Sequence, residues 1–101
     1  MKDMSYIAAT VLYAIRSGMR HGFQIMEAAG LASGTVYPAL RRLEKAGLIR
    51  SHWERETLAR SEQRPARRYY QLTREGEAAL AAAEARFRFP ELLAAGRNAA
   101  I

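Results

Sequence analysis

The chain has 101 residues, half of them hydrophobic, which allows one compact domain and excludes both a two-domain architecture and intrinsic disorder. Sixteen Lys and Arg, nearly all Arg, stand against ten Asp and Glu, and the net charge of +6 favours anionic partners without specifying a fold. The absence of cysteine rules out disulfides and thiolate chemistry.

Met1-Lys2-Asp3-Met4-Ser5 carries no signal-peptide pattern, and no apolar run reaches the ~20 residues that span a bilayer. A cytoplasmic setting with no membrane partner is therefore expected. Residues 5 to 17 predict a first helix, with Ser5 as its N-cap and Gly18 as its stop. Ile7, Val11 and Ile15 form one stripe, widened by Ala8, Leu12 and Ala14. Tyr6, Ala9, Thr10 and Tyr13 on the other side are also uncharged, and a helix apolar nearly all round is buried on more than one side. In so short a chain a second subunit is one source of that extra cover.

Residues 21 to 29 predict a short second helix closed by Gly30, with Phe23, Ile25, Met26 and Ala29 as core candidates. Leu31-Ala32-Ser33-Gly34 reads as the turn, and Ser33 or Thr35 as the cap of a third helix. Pro38 falls near that helix's start, where a missing N–H costs least.

The third helix, within residues 34 to 49, is the most informative stretch. Val36, Leu40 and Leu43 make a buried stripe. At about 100° per residue, Pro38, Arg41, Arg42 and Lys45 fall on the opposite side. Such a face suits the major groove of DNA, although any solvated helix surface also carries charges opposite its stripe. Gly47 ends the helix.

Ile49 to Arg55 alternates like a half-buried strand, and Arg67 to Leu72 is a second, aromatic-rich strand. Residues 56 to 66 read as a polar loop carrying Arg60, Arg64 and Pro65. Residues 41 to 68 hold nine cations and four acids, a local charge of +5. Helices followed by a hairpin with a basic tip predict a winged helix-turn-helix, whose tip reaches along the DNA backbone or into the minor groove. Thr73 caps a last helix with Glu75 and Glu77 in its first turn. Gly76, Leu80, Ala83 and Phe87 line one face of it, Pro90 breaks it, Glu91 to Ala95 add a turn, and residues 96 to 101 fray.

Several of these segments occur together in a familiar order: His21-Gly22-Phe23-Gln24-Ile25, Gly34 to Glu44, Gly47-Leu48-Ile49, Trp53-Glu54, Arg64 to Tyr70 and Leu72-Thr73. They resemble the PadR family of bacterial transcriptional regulators, over residues 5 to about 85. The resemblance implies a winged helix-turn-helix homodimer on an inverted repeat in promoter DNA, usually as a repressor. It places Ser33, Thr35, Tyr37, Pro38, Arg41 and Arg42 on the recognition helix and Arg64, Arg67 and Arg68 on the wing. It also implies that the last helix crosses to the partner and packs on the first, bringing Tyr6, Thr10, Tyr13, Leu80, Ala83 and Phe87 to a dimer interface. Two departures stand out: Gln63 occupies a position where the family often has Gly, and the interval from Trp53 to Arg64-Pro65 is long. With so short a C-terminal region, the large effector domain of longer members is not expected, which would put any small-molecule effector at the dimer interface.

The fold class is therefore mainly α with a small β-hairpin (α+β). A winged helix-turn-helix over residues 1–72 precedes a C-terminal dimerisation helix and tail over 73–101, in one compact domain. Each assignment has a plainer rival. Ser33 and Thr35 can serve as caps, and Tyr37, at the edge of the stripe, can pack or donate its hydroxyl to phosphate. Arg67 and Arg68 point to opposite faces of a strand, so at most one faces DNA directly. Trp53 is a core or interface aromatic, or a platform for a flat aromatic effector as in some family members. His21 is structural and His52 solvated, while Leu80, Ala83 and Phe87 are either intrachain core or dimer seam. No metal-ligand spacing, nucleophile–base pair, Gly-rich phosphate loop or paired-carboxylate motif is present, so neither metal, cofactor nor enzymatic activity is expected. The serious alternative to a DNA-binding regulator is a winged helix used only for protein–protein contact.

Overall fold

Ser5 stands in extended backbone, and its hydroxyl accepts the Ala8 N–H at 3.1 Å, which starts helix α1, Tyr6–Arg16. The computed structural model describes residues 4–86. Helix α2, Gly22–Ala29, follows a short connection, and helix α3, Ser33–Lys45, follows the turn at Gly30 to Ala32. At the end of α3 the Leu48 N–H donates back to the Leu43 carbonyl at 3.0 Å and the Gly47 N–H to Glu44 at 3.0 Å, the paired bonds of a Schellman stop. Strands β1, Ile49–Trp53, and β2, Arg68–Leu72, pair antiparallel with Ile49 opposite Leu72 and Trp53 opposite Arg68. Helix α5, Arg74–Glu84, completes the described chain.

Both strands are shorter than the alternation suggests, and residues 56 to 66 are not simply a loop. Helix α4, Glu56–Ser61, fills the first half of that interval. It buries only Ala59, so it has no apolar stripe to read. It ends in a second Schellman arrangement, with Arg64 N–H on Ala59 O at 3.2 Å and Gln63 N–H on Arg60 O at 3.0 Å. Gln63 has φ +56°, the left-handed conformation that glycine takes without penalty, and it stands where the family it resembles often has Gly. A side chain there costs about 1–2 kcal/mol of backbone strain.

The core lies between α1, α2, α3, the inner face of the hairpin and α5. Leu12, Ile25, Val36, Leu40, Ile49 and Leu80 are wholly or almost wholly buried in it. Each such side chain contributes about 1.5–3 kcal/mol relative to exposure. Helix α1 is buried on two sides, as its composition demands, but the second cover comes from this same chain. Thr10 is buried and its hydroxyl donates to the Tyr6 carbonyl at 2.7 Å. Leu80 and Ala83 of α5 are buried in the single chain, not left open for a partner. Arg16 and Glu84 clamp the two helices with a bidentate pair at 2.9 and 2.7 Å. Thr10, Leu80 and Ala83 thus belong to the intrachain core, because α5 folds back on α1. Phe87, Pro90 and the segments beyond them lie outside the described residues.

Thr73 docks α5. Its hydroxyl accepts the Gly76 N–H at 3.0 Å and donates to the Gly47 carbonyl at 2.7 Å, while its own N–H donates to Leu48 O at 3.0 Å. The helix therefore starts on the turn that ends α3. On the other edge of the hairpin, Tyr70 N–H donates to Arg20 O at 2.8 Å, and His21 bridges Tyr69. The segment before α2 thus acts as a third, minimal strand that fixes the hairpin to the helices.

Candidate nucleic-acid interface

Helix α3 buries Val36, Ala39, Leu40 and Leu43, which turns Arg41, Arg42 and Lys45 outward. All three are exposed, and among the described residues none makes a side-chain hydrogen bond or ion pair. The start of α3 differs from expectation. Its N-cap is Ala32, with no side-chain cap, so Ser33 and Thr35 occupy the first and third helical positions without capping. Pro38 is not at the helix start but five residues in, where it withdraws the N–H that would bond the Gly34 carbonyl.

Tyr37 is 40% exposed, and its ring lies directly against the backbone of Gly22, the first residue of α2. A Cβ at Gly22 would collide with the Tyr37 ring and hydroxyl, so glycine is what permits the two helices to meet there. Phe23, a core candidate on sequence grounds, is 58% exposed instead. With Trp53, 63% exposed, these rings wall a cleft of about 340 Å³ between the start of α2, α3 and the hairpin. Arg67 and Arg68 also line it.

The wing's cations have unequal roles. Arg64 grips Glu54, with Nη1 on Oε1 at 2.6 Å and Nη2 on Oε2 at 2.8 Å. The Glu54 side chain is 2% exposed and also accepts the Arg67 N–H at 3.2 Å and the Tyr69 hydroxyl at 3.1 Å. Arg64 therefore holds the wing together, and both terminal nitrogens of its guanidinium are occupied. Arg68 is exposed but leans on the helix–hairpin face: its guanidinium lies 5.4 Å from the Trp53 ring centroid and contacts Ser51 and Glu44. Arg67, just before β2, is exposed without a side-chain partner among the described residues. His21 is buried edge-on against Tyr69, and burial together with Arg67 and Arg64 lowers its pKa. His52 is exposed and stacks on Tyr69 at 5.8 Å.

The Arg64 hydrogen bonds hold the Glu54 carboxyl at about 2, against an ordinary value of 4.5. A folded value below the unfolded one means that Glu54 stabilises the wing fully above pH 4.5 and progressively less as pH falls toward 2. Glu54→Gln is expected to melt below the wild type at pH 7, with the gap closing across that acid window. Melting curves from pH 7 to 2 check this; parallel curves would count against it.

Glu54, Glu44, Ser51, Gly22 and Phe23 are the residues that sequence reasoning did not place in the site. An acid immediately after Trp53, inside a window otherwise rich in Arg, was the one signal available for Glu54.

Helices α1 to α3, a hairpin tied back to the segment before α2, and an outward basic face on α3 define a winged helix-turn-helix. The description "Transcriptional regulator PadR-like family" matches residues 11–82, and the chain belongs to that family. A PadR family transcription regulator from hypervirulent Clostridium difficile R20291 is 28% identical, with a TM-score of 0.71, over 86% of this chain and 92% of that one. A PadR-like transcription factor from Bacteroides fragilis is 29% identical, with a TM-score of 0.65, over 79% and 78%. A transcriptional regulator from Clostridium thermocellum is 27% identical, with a TM-score of 0.64, over 76% and 75%. Comparison with curated proteins produced no match. The family is one of transcription regulators. Among the described residues no helix is long and apolar enough to cross a membrane, and no group of His, Cys, Asp or Glu is arranged to hold a metal ion.

Proposed function

We propose that the protein is a repressor that binds a pseudo-palindromic promoter site as a homodimer. The observation that carries this reading is the unpaired cationic face of α3, Arg41, Arg42 and Lys45, beside a wing that is internally braced. These three residues, with Arg67, supply phosphate and base-edge contacts; Ser33, Thr35 and Pro38 lie at the helix end that enters the groove. Tyr37 orients α3 on α2 and keeps its hydroxyl at the cleft. Arg64 serves by bracing the wing and Arg68 by facing the helix. A pure protein-docking winged helix has no use for this concentration of unpaired cations.

Residues 1–72 read the DNA and residues 73–101 make the dimer in this proposal. Tyr6, exposed, and Tyr13, half-buried, contribute from α1 to the interface between subunits in this reading, together with Phe87. A flat aromatic effector would be sensed at Trp53, which borders the cleft described above. Titration against the protein's own upstream promoter and a scrambled duplex, at about 50 and 200 mM salt, tests the DNA part. Promoter preference with a steep salt slope is expected, and no binding at low salt would sink it. Light scattering at micromolar concentration is expected to show a dimer, whose recognition helices sit roughly 34 Å apart. A monomer would overturn the dimer.

A further inference from the structure

Glu44 is the one acid on α3, and it faces the hairpin rather than open solvent. Its Oε2 accepts the Ser51 hydroxyl at 2.7 Å, and its Oε1 accepts Arg68 Nη2 at 3.4 Å. Arg68 Nε in turn donates to Ser51 Oγ at 2.8 Å, which closes a triangle. Ser51 belongs to β1 and Arg68 to β2, so one carboxylate on the recognition helix fastens both strands of the wing. Besides this triangle, the turn at Ala46, Gly47 and Leu48 and a shared buried cluster that includes Leu40, Leu43, Ile49 and Tyr70 join α3 to the hairpin.

From this we infer that Glu44 is a positioning residue that sets the spacing between recognition helix and wing, and through it operator specificity. The inference rests on the DNA-reading proposal above. Base edges are read only when backbone contacts hold the helix in register, and in a winged fold those contacts come from a second element, the hairpin. A hairpin held less firmly against α3 would let phosphate contacts form on any sequence while the base contacts lose their register. Electrostatics alone points the other way. An acid beside a phosphate-facing surface weakens every DNA complex, so its removal should tighten binding to all sequences alike.

The test compares wild type, Glu44→Ala, Glu44→Gln, Ser51→Ala and the Glu44→Ala/Ser51→Ala double variant on the promoter and scrambled duplexes, with a melting curve for each. Glu44→Ala is expected to lose roughly tenfold in promoter affinity, about the effect of one charge-assisted hydrogen bond, while scrambled-DNA affinity holds or rises. Glu44→Gln carries the same charge as the alanine variant but keeps an acceptor for Ser51, and should recover part of the promoter preference. Ser51→Ala leaves every charge in place, so it should narrow the preference too, and the double variant should be no worse than Glu44→Ala. Equal tightening on both DNAs by the two Glu44 variants would overturn the inference. So would an unchanged preference in Ser51→Ala, which decides the matter alone should the Glu44 variants melt early. A wild type that fails to prefer the promoter sinks the regulator reading itself, whereas a selective wild type with indifferent variants sinks only the role of Glu44.

Discussion

Gly76→Ala is expected to cost more than about 10 °C in melting temperature. A Cβ built on Gly76 falls on the Leu48 carbonyl oxygen and 3.0 Å from the Leu48 carbonyl carbon. That carbonyl cannot step aside, because it also accepts the Thr73 N–H that starts α5. Alanine's better helix propensity returns only about 1 kcal/mol, less than the roughly 1–3 kcal/mol of ordinary overpacking, and here the clash is with backbone. The first turn of α5 would lift off, exposing Leu80 and Ala83 and loosening the cover on α1. Gly34→Ala is the matching control. Its Cβ would meet nothing within 4 Å and its φ is not positive, so the melting temperature should hold or rise slightly. An unchanged melting temperature in Gly76→Ala would mean that α5 does not sit on the α3–β1 turn as described.

Helix boundaries were readable from the sequence where local chemistry sets them. Ser5 and Thr73 cap α1 and α5 through their own hydroxyls, and the Val36, Leu40 and Leu43 stripe fixes which side of α3 faces out. What the sequence left open depends on partners distant along the chain. A basic residue in a wing reads as a DNA contact until Glu54, ten positions away across α4, is seen to occupy Arg64. Leu80 and Ala83 have the same periodicity whether they meet α1 of their own chain or of another, and only the chain's path decides. Helix α4 escaped because six residues with one buried Ala carry no period to detect. Pro38 was misplaced within α3 because tertiary packing of Val36 and Tyr37 extends the helix ahead of it, overriding the local penalty.

The contrast between Arg64 and the α3 cations leads to the second large effect, on binding rather than stability. Arg41→Ala/Arg42→Ala/Lys45→Ala is expected to reduce the log–log salt slope of promoter binding by about 0.9 for each cation that contacts phosphate. In the proposed dimer every cation counts twice, so affinity at moderate salt should fall by roughly a thousandfold or more. The melting temperature should stay close to wild type, because all three side chains are exposed and make no side-chain ion pair among the described residues. Arg64→Ala should do the reverse. It leaves Glu54 buried without its guanidinium partner and unfastens α4 from the hairpin, so the melting temperature should drop while the salt slope barely moves. A cation that reads a base edge instead of phosphate would show a third pattern, with promoter affinity lost and scrambled-DNA affinity kept. Single substitutions at Arg41, Arg42 and Lys45 on the two duplexes would therefore sort readers from anchors. A triple variant that binds both DNAs as tightly as wild type would remove α3 from the interface altogether.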